Sequence, residues 1–359
     1  MESDKPKRSK KKKVILFIIL FLLIAALISG FFITSYEMNK YFTRGRYKDS
    51  DLTYLYYYDH YKDRYPRSEE ITFMSGENPL KGRIYGEDNE KGLIVFAHGI
   101  GGGHQSYMSL IISMVDRGWK VFTYDATGSC ESEGESTVGL SQSALDLNNA
   151  LTFVEKDERL NKYKVNVLGH SWGGFAAAAV MNFDHDINAC VSLSGYYQPE
   201  AELYETADNM FGKAGVLVHP FIWMYNKSKF GKYASLSAVD GINKTDTPVL
   251  IVHGTEDSTI SFKNASVISQ KDRITNPNAE YYIFSDKYRN NHGTYFDTPE
   301  SAEYKQKMNK IYEELYEKYN GKIPEEVQKD YYSGLDRDLL NETSDELADL
   351  IDNFFEKFN

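Results

Sequence analysis

The chain has 359 residues, 42% of them hydrophobic and 14% aromatic, and a formal net charge of -11. This composition excludes wholesale disorder and suffices for a sizeable core, while the acidic balance argues against a nucleic-acid partner, which needs Lys and Arg gathered on one face. The two cysteines, Cys130 and Cys190, are too few for a disulfide framework and too far apart in sequence for a zinc motif, so both are read as free thiols.

The first element is an apolar run. From Val14 to Ile33 the sequence VILFIILFLLIAALISGFFI has neither charge nor proline, and at about 1.5 Å per residue it matches a hydrocarbon layer of about 30 Å. Lys5, Lys7, Arg8, Lys10, Lys11, Lys12 and Lys13 precede it. The positive-inside rule keeps that basic tail (1–13) in the cytoplasm and puts everything after the helix (14–35) outside. The location expected is a cell membrane, spanned once, with bacterial cysteine usage. A cleaved signal peptide is the competing reading. Its apolar region is usually shorter and ends in small residues, whereas the flank here is Ile28-Ser29-Gly30-Phe31-Phe32.

The stretch 36–69 is polar and tyrosine-rich and reads as a juxtamembrane helix or stalk, its tyrosines either at lipid headgroups or packed on the domain C-terminal to it. From residue 70 to the end, short runs rich in β-branched and aromatic residues alternate with helical patterns, the signature of a mostly parallel sheet flanked by helices. Strands are expected at 71–74, 82–85, 92–97, 121–124, 164–168, 189–193, 248–252 and 280–284. Helices are expected at 105–117, 140–156, 173–181, 263–271 and 344–357. The last carries Leu347, Leu350, Ile351, Phe354, Phe355 and Phe358 as one stripe. Two stretches break the alternation and are expected to be helical insertions, 196–246 and 294–341. The aromatic residues of the first either line an acyl pocket or pack on the sheet.

The chemistry concentrates at a few turns. Gly169-His170-Ser171-Trp172-Gly173 follows the apolar strand Val165-Asn166-Val167-Leu168 and leads into Gly174-Phe175-Ala176-Ala177-Ala178-Ala179. A G-x-S-x-G turn from strand to helix is strained and presents the serine hydroxyl at the top of a sheet. Upstream, Leu93-Ile94-Val95-Phe96 ends in Ala97-His98-Gly99-Ile100-Gly101-Gly102-Gly103. A backbone N–H there, at Ile100 or next to it at Gly101, together with that of Trp172, forms an expected oxyanion hole. The glycine spacing does not fit a dinucleotide or P-loop cradle, and no cofactor or metal is expected, since convergent ligands at short spacing are missing.

These motifs resemble the α/β-hydrolases, in particular the monoglyceride-lipase and serine-aminopeptidase-like branch. His98-Gly99, Asp125-Ala126-Thr127-Gly128-Ser129-Cys130-Glu131-Ser132-Glu133-Gly134, Gly169 to Gly173 and His253-Gly254-Thr255-Glu256-Asp257 fall in that family's order. The resemblance covers roughly residues 70–292 and the final helix. One departure is Thr127 with Ser129-Cys130, where relatives more often carry Arg-Gly-His-Gly. The resemblance implies an eight-stranded α/β-hydrolase domain over 70–359 with a lid at 196–246, Ser171 as nucleophile and Asp257 as the acid. A carboxylate just past a strand end reaches the same crevice; Glu256 is its neighbour and rival. His292, the last histidine of the chain and the only one after Asp257, is the implied base. His170 is expected to point away from the serine, and His98, His104 and His253 to serve packing or loops. The function expected is ester hydrolysis on a small-molecule or lipid-like substrate at a membrane. A serine aminopeptidase and a non-catalytic binding scaffold are the alternatives.

Overall fold

The computed structural model describes residues 8–42, 52–65 and 67–359; Lys5 and Lys7 of the basic tail, and 43–51 of the juxtamembrane stretch, lie outside them. Eight strands form one sheet in the order β1-β2-β4-β3-β5-β6-β7-β8. They are β1 Ser68–Ser75, β2 Asn78–Tyr85, β3 Leu93–Ala97, β4 Lys120–Tyr124, β5 Val165–His170, β6 Ala189–Leu193, β7 Val249–Gly254 and β8 Ala279–Phe284. Only β2 runs against its neighbours; every pair from β4 to β8 is parallel. All eight expected strands are present, with ends displaced by only a few residues. β3, β6 and β7 are buried along their whole length, as central parallel strands covered on both faces must be.

The helices, in chain order, are α1 Arg8–Phe42, α2 Tyr58–Tyr61, α3 Met108–Asp116, α4 Gln142–Lys156, α5 Trp172–Ala179, α6 Pro199–Phe211, α7 His219–Phe230, α8 Ala238–Lys244, α9 Pro299–Lys318, α10 Glu325–Ser333, α11 Arg337–Leu340 and α12 Asp345–Glu356. One face of the sheet is covered by α4, α5 and α8, the other by α3 and α12. Ser344 caps α12 by accepting from Leu347 N–H, and its apolar stripe buries Leu347, Ile351, Phe354 and Phe355, the last against the Trp119 ring at 5.8 Å. Helices α6 to α8 lie within 196–246, and α9 to α11 within 294–341. Thr298 caps α9 through Ser301 N–H, with Pro299 in the first turn, where its missing N–H costs nothing.

Helix α1 is long and apolar enough to cross a membrane, and its apolar stretch is uncovered. Its C-terminal end is not free. Phe42 is buried and its carbonyl accepts from Thr137 Oγ1 at 3.3 Å, Asn39 Oδ1 accepts from Tyr225 Oη at 3.0 Å, and Met38 packs on the core. At Gly30 a Cβ would overlap the Phe221 ring of α7, so the glycine lets the two helices approach. The juxtamembrane tyrosines pack on the domain: Tyr58 is buried 5.2 Å from the Tyr85 ring, and Tyr56 N–H donates to Asn341 Oδ1 at 2.8 Å. Arg337 and Asn341 donate to the carbonyl of Tyr54 at 3.2 and 2.8 Å.

The helix expected at 263–271 does not form. Only a 3-10 turn at Ile268–Arg273 is present. The backbone and side chains there have other partners. Ala265 N–H donates to Glu205 and Val267 N–H to Gly195 O, while the Ser266 and Ser269 hydroxyls bond to nearby carbonyls. Such local side-chain bonds compete with the helical ladder. Of the juxtamembrane stretch 36–69, the described residues contribute the last turns of α1, to Phe42, and the single turn of α2. Since Phe355 is the largest apolar side chain that α12 buries completely, Phe355→Ala should destabilise the domain by about 3–5 kcal/mol, read by urea unfolding.

Candidate active site

The turn between β5 and α5 is held by close backbone approaches. A Cβ on Gly169 would overlap the Gly173 carbonyl, and one on Gly173 would overlap that of Ala97. Between them Ser171 has φ 58 and ψ -115, a conformation that L-residues rarely adopt, fixed by its N–H donating to Leu193 O at 2.8 Å. The small residues of α5 are fully buried, so the helix lies directly on β3, β5 and β6. Ser171 thus sits at the carboxyl edge of the sheet, beside the first turn of a helix whose leading N–H groups have no intrahelical acceptor.

Asp257 and His292 meet at the same edge. His292 Nδ1 lies 2.8 Å from Asp257 Oδ2, and the His292 ring centroid is 4.8 Å from that of His170, the residue before Ser171. Asp257 Oδ1 accepts from the N–H groups of Thr259 and Ile260, both at 2.9 Å. Asn291 joins the two loops: its Oδ1 accepts from Ser258 N–H at 2.9 Å and His292 N–H at 2.7 Å. Glu256, the rival acid, is exposed, while Asp257 is buried.

His253 differs from its expected packing role. Its Nε2 stands 3.1 Å from Asp257 Oδ2 and 3.0 Å from Ile260 O, so it donates toward the same carboxylate oxygen that His292 meets. Burial pushes the Asp257 carboxyl up, but the bonds from His253 and His292 outweigh it and hold it well below the usual carboxylate range. The sequence signal for this is the i, i+4 spacing of His253, near the end of β7, and Asp257, just past it.

The loop after β3 is fastened at Gly99. His98 Nε2 accepts from Ala126 N–H at 2.8 Å, so its Nδ1 carries the hydrogen and donates to Gly99 O at 2.7 Å. Gly99 N–H donates to Tyr107 Oη at 3.1 Å, and that hydroxyl donates to His170 Nδ1 at 2.8 Å. His170 therefore lies between Tyr107 and His292. Burial, reinforced by the neighbouring His292, pushes its imidazole well below the ordinary histidine range and keeps it neutral. Tyr107 lies in none of the sequence motifs. Ile100 lies half-buried against the core in the loop after β3, and Trp172, the residue after Ser171 and the first of α5, is buried with its Nε1 donating to Leu140 O at 2.8 Å. Among the described residues no cluster of His, Cys, Asp and Glu could hold a metal ion.

A family model described as serine aminopeptidase, S33 matches residues 88–236. An esterase of Pyrococcus furiosus is similar in two crystal forms. One has TM-score 0.53 and 14% identity, covering 76% of this chain and 97% of that one. The other has TM-score 0.51 and 16% identity, covering 72% and 95%. At such identities the likeness concerns the fold alone. No curated protein matches the chain.

The loop 125–134 is built on two buried carboxylates. Asp146 accepts from Thr127 N–H and Oγ1, both at 2.8 Å, and from Ser75 Oγ at 2.6 Å. Asp125 accepts from His104 N–H at 2.9 Å and Glu131 N–H at 3.1 Å, with His104 Nδ1 at 2.8 Å. Burial pushes Asp125 up, but the His104 imidazole and its bonds prevail and hold the carboxyl at about 2. An unfolded aspartate titrates near ~3.9, so as acid is added the unfolded chain takes up the proton first, and this stabilisation, complete above that value, is lost as pH falls toward the folded one. Asp125→Asn should therefore cost on the order of 2 kcal/mol at pH 6 by urea unfolding, and its deficit against the wild type should shrink steadily below pH ~4.

Proposed function

We propose that the chain, which has the α/β-hydrolase fold, is a serine hydrolase cleaving carboxylic esters through an acyl-enzyme at Ser171. The observation that carries this reading is the His292–Asp257 pair, 2.8 Å apart, with the His292 ring 4.8 Å from that of His170, whose next residue is the serine held at positive φ. A neutral hydroxyl is a weak nucleophile until a base removes its proton. His292 takes that proton and Asp257 orients the imidazole and stabilises its charge. The N–H groups of Ile100 and Trp172 hold the oxyanion of the tetrahedral intermediate, His292 returns the proton to the leaving alkoxide, and water then cleaves the acyl-enzyme.

We place α1 in a membrane as an uncleaved anchor, with its basic end cytoplasmic and the domain outside. Its apolar length and basic flank support this, and the contacts of Gly30, Met38, Asn39 and Phe42 with the domain favour retention over cleavage as a signal sequence. Substrates are then amphiphilic esters reached at the bilayer.

A second reading, cleavage next to a free amine, is favoured by one group in α6. Burial pushes the Glu202 carboxyl up to about 8, with the negative charges of Glu205 and Asp257 adding to it. Its Oε2 has no partner among the described residues. Such a group ionises when a cation arrives. A panel of p-nitrophenyl esters of increasing chain length beside aminoacyl anilides separates the readings: turnover confined to the anilides, and lost in Glu202→Gln, would replace the esterase with an aminopeptidase.

Ser171→Ala should lower turnover by at least ~10³-fold and abolish labelling by a fluorophosphonate probe; undiminished turnover in the purified variant would refute the assignment. Tyr107→Phe removes the acceptor for Gly99 N–H without changing the side-chain shape. It should lower kcat about tenfold with little change in KM, because a misplaced oxyanion donor is missed chiefly in the transition state.

A further inference from the structure

The lid carries an apolar face that covers nothing in the molecule. Met210 and Phe211 at the end of α6, Val216 and Leu217 in the following 3-10 turn, and Trp223 and Met224 on α7 are all exposed. The aromatic and aliphatic residues expected either to line an acyl pocket or to pack on the sheet divide differently: Tyr196, Ile222, Tyr225 and Phe230 face the core, and these six face outward. So many large apolar side chains exposed within one short segment are unusual on a soluble monomer and mark an interaction site.

Its position identifies the partner. Helix α7 packs along α1, with the Phe221 ring against Gly30 and Tyr225 Oη bonded to Asn39. On α1 the partly covered Phe31, Ser35 and Met38 and the buried Phe42 recur every three or four residues, the seam of one helix against another. Gly30 precedes the last residue of the apolar run, Ile33, by three positions, about 4.5 Å along the axis. The Phe221 contact therefore lies inside the hydrocarbon boundary that α1 sets. Side chains on the same helix and the adjoining turn then reach the zone between headgroups and acyl chains, about 5–10 Å deep, where interfacial segments settle. Exposed Lys213, Lys227, Lys229 and Lys232 lie in the same segment, with the charge suited to lipid phosphates at that level.

We propose that the lid is a membrane-seated element: the outward face of α6 and α7 is immersed in the outer boundary of the same bilayer that α1 crosses, and the active site opens to esters drawn from that leaflet. This rests on the anchor and hydrolase reading, and the test separates the two. Trp119 and Trp172 are fully buried, whereas Trp223 is 47% exposed, so Trp223 reports on the lid. Full-length protein is reconstituted in phosphatidylcholine–phosphatidylglycerol vesicles whose acyl chains are brominated near the headgroup. The expected result is quenching of the wild-type emission that Trp223→Phe removes. In parallel, Phe211→Ser combined with Leu217→Ser should slow hydrolysis of a long-chain ester in the vesicles about tenfold and leave a water-soluble short-chain ester unchanged. If bromolipids quench wild type no more than Trp223→Phe while the protein floats with the vesicles and turns over the soluble ester, the lid proposal is overturned and the hydrolase and its anchor stand. Failure of the vesicles to carry the protein would remove the anchor and the lid proposal together. Quenching in a protein with no ester turnover would uphold the seated lid and remove the esterase reading, and with it the ester supply from the leaflet.

Discussion

The architecture depends on one steric constraint: helix α5 lies so close to the sheet that no side-chain carbon fits at Gly169 or Gly173. This proximity forces the chain to reverse within a single residue, and Ser171 takes the strain as a positive φ. The fully buried small residues of α5 and the buried strands beneath it supply the packing that holds such a turn. A bulkier helix would stand off the sheet, relax the turn and withdraw the hydroxyl from the carboxyl edge, where the loops after β3, β7 and β8 converge.

Around that turn, histidines work as fixed connectors as well as a candidate base. His98 bonds the loop after β3 to the loop after β4, His104 is paired with Asp125, His170 joins Tyr107 to the ring of His292, and His253 meets Asp257. Buried imidazoles suit this because each offers one donor and one acceptor in fixed directions. Their neighbours then decide the charge. His170 is held neutral by burial, while Asp257 is kept ionised by two ring N–H groups.

The sheet was legible because its strands are short apolar runs separated by turn residues, a pattern that burial on both faces imposes directly. Ser171, Asp257 and His292 stand out as candidates because each follows a strand end in a recognisable order, and the structure brings the last two into contact. The fluent helical pattern at 263–271 misled, since the serines and Asn264 there bond locally and Glu205 takes the backbone donor of Ala265. Tyr107 and His253 act through partners that only the folded chain brings into place. The packing of α1 on α7 was hidden for a related reason: a glycine in an apolar helix looks the same whether it faces lipid or a phenylalanine ring.

The attachment of α1 has a consequence for how the molecule comes apart. Its C-terminal end is held by Thr137, Tyr225 and Phe221, and residues 54–56 are bound to Arg337 and Asn341 near the other end of the chain. A protease cutting between residues 42 and 52 would sever the polypeptide, yet both fragments would keep their grip on the same body. Separation of the fragments then demands rupture of the helix pair as well as a peptide bond, so a single cut does not free the domain as it would a loosely tethered one.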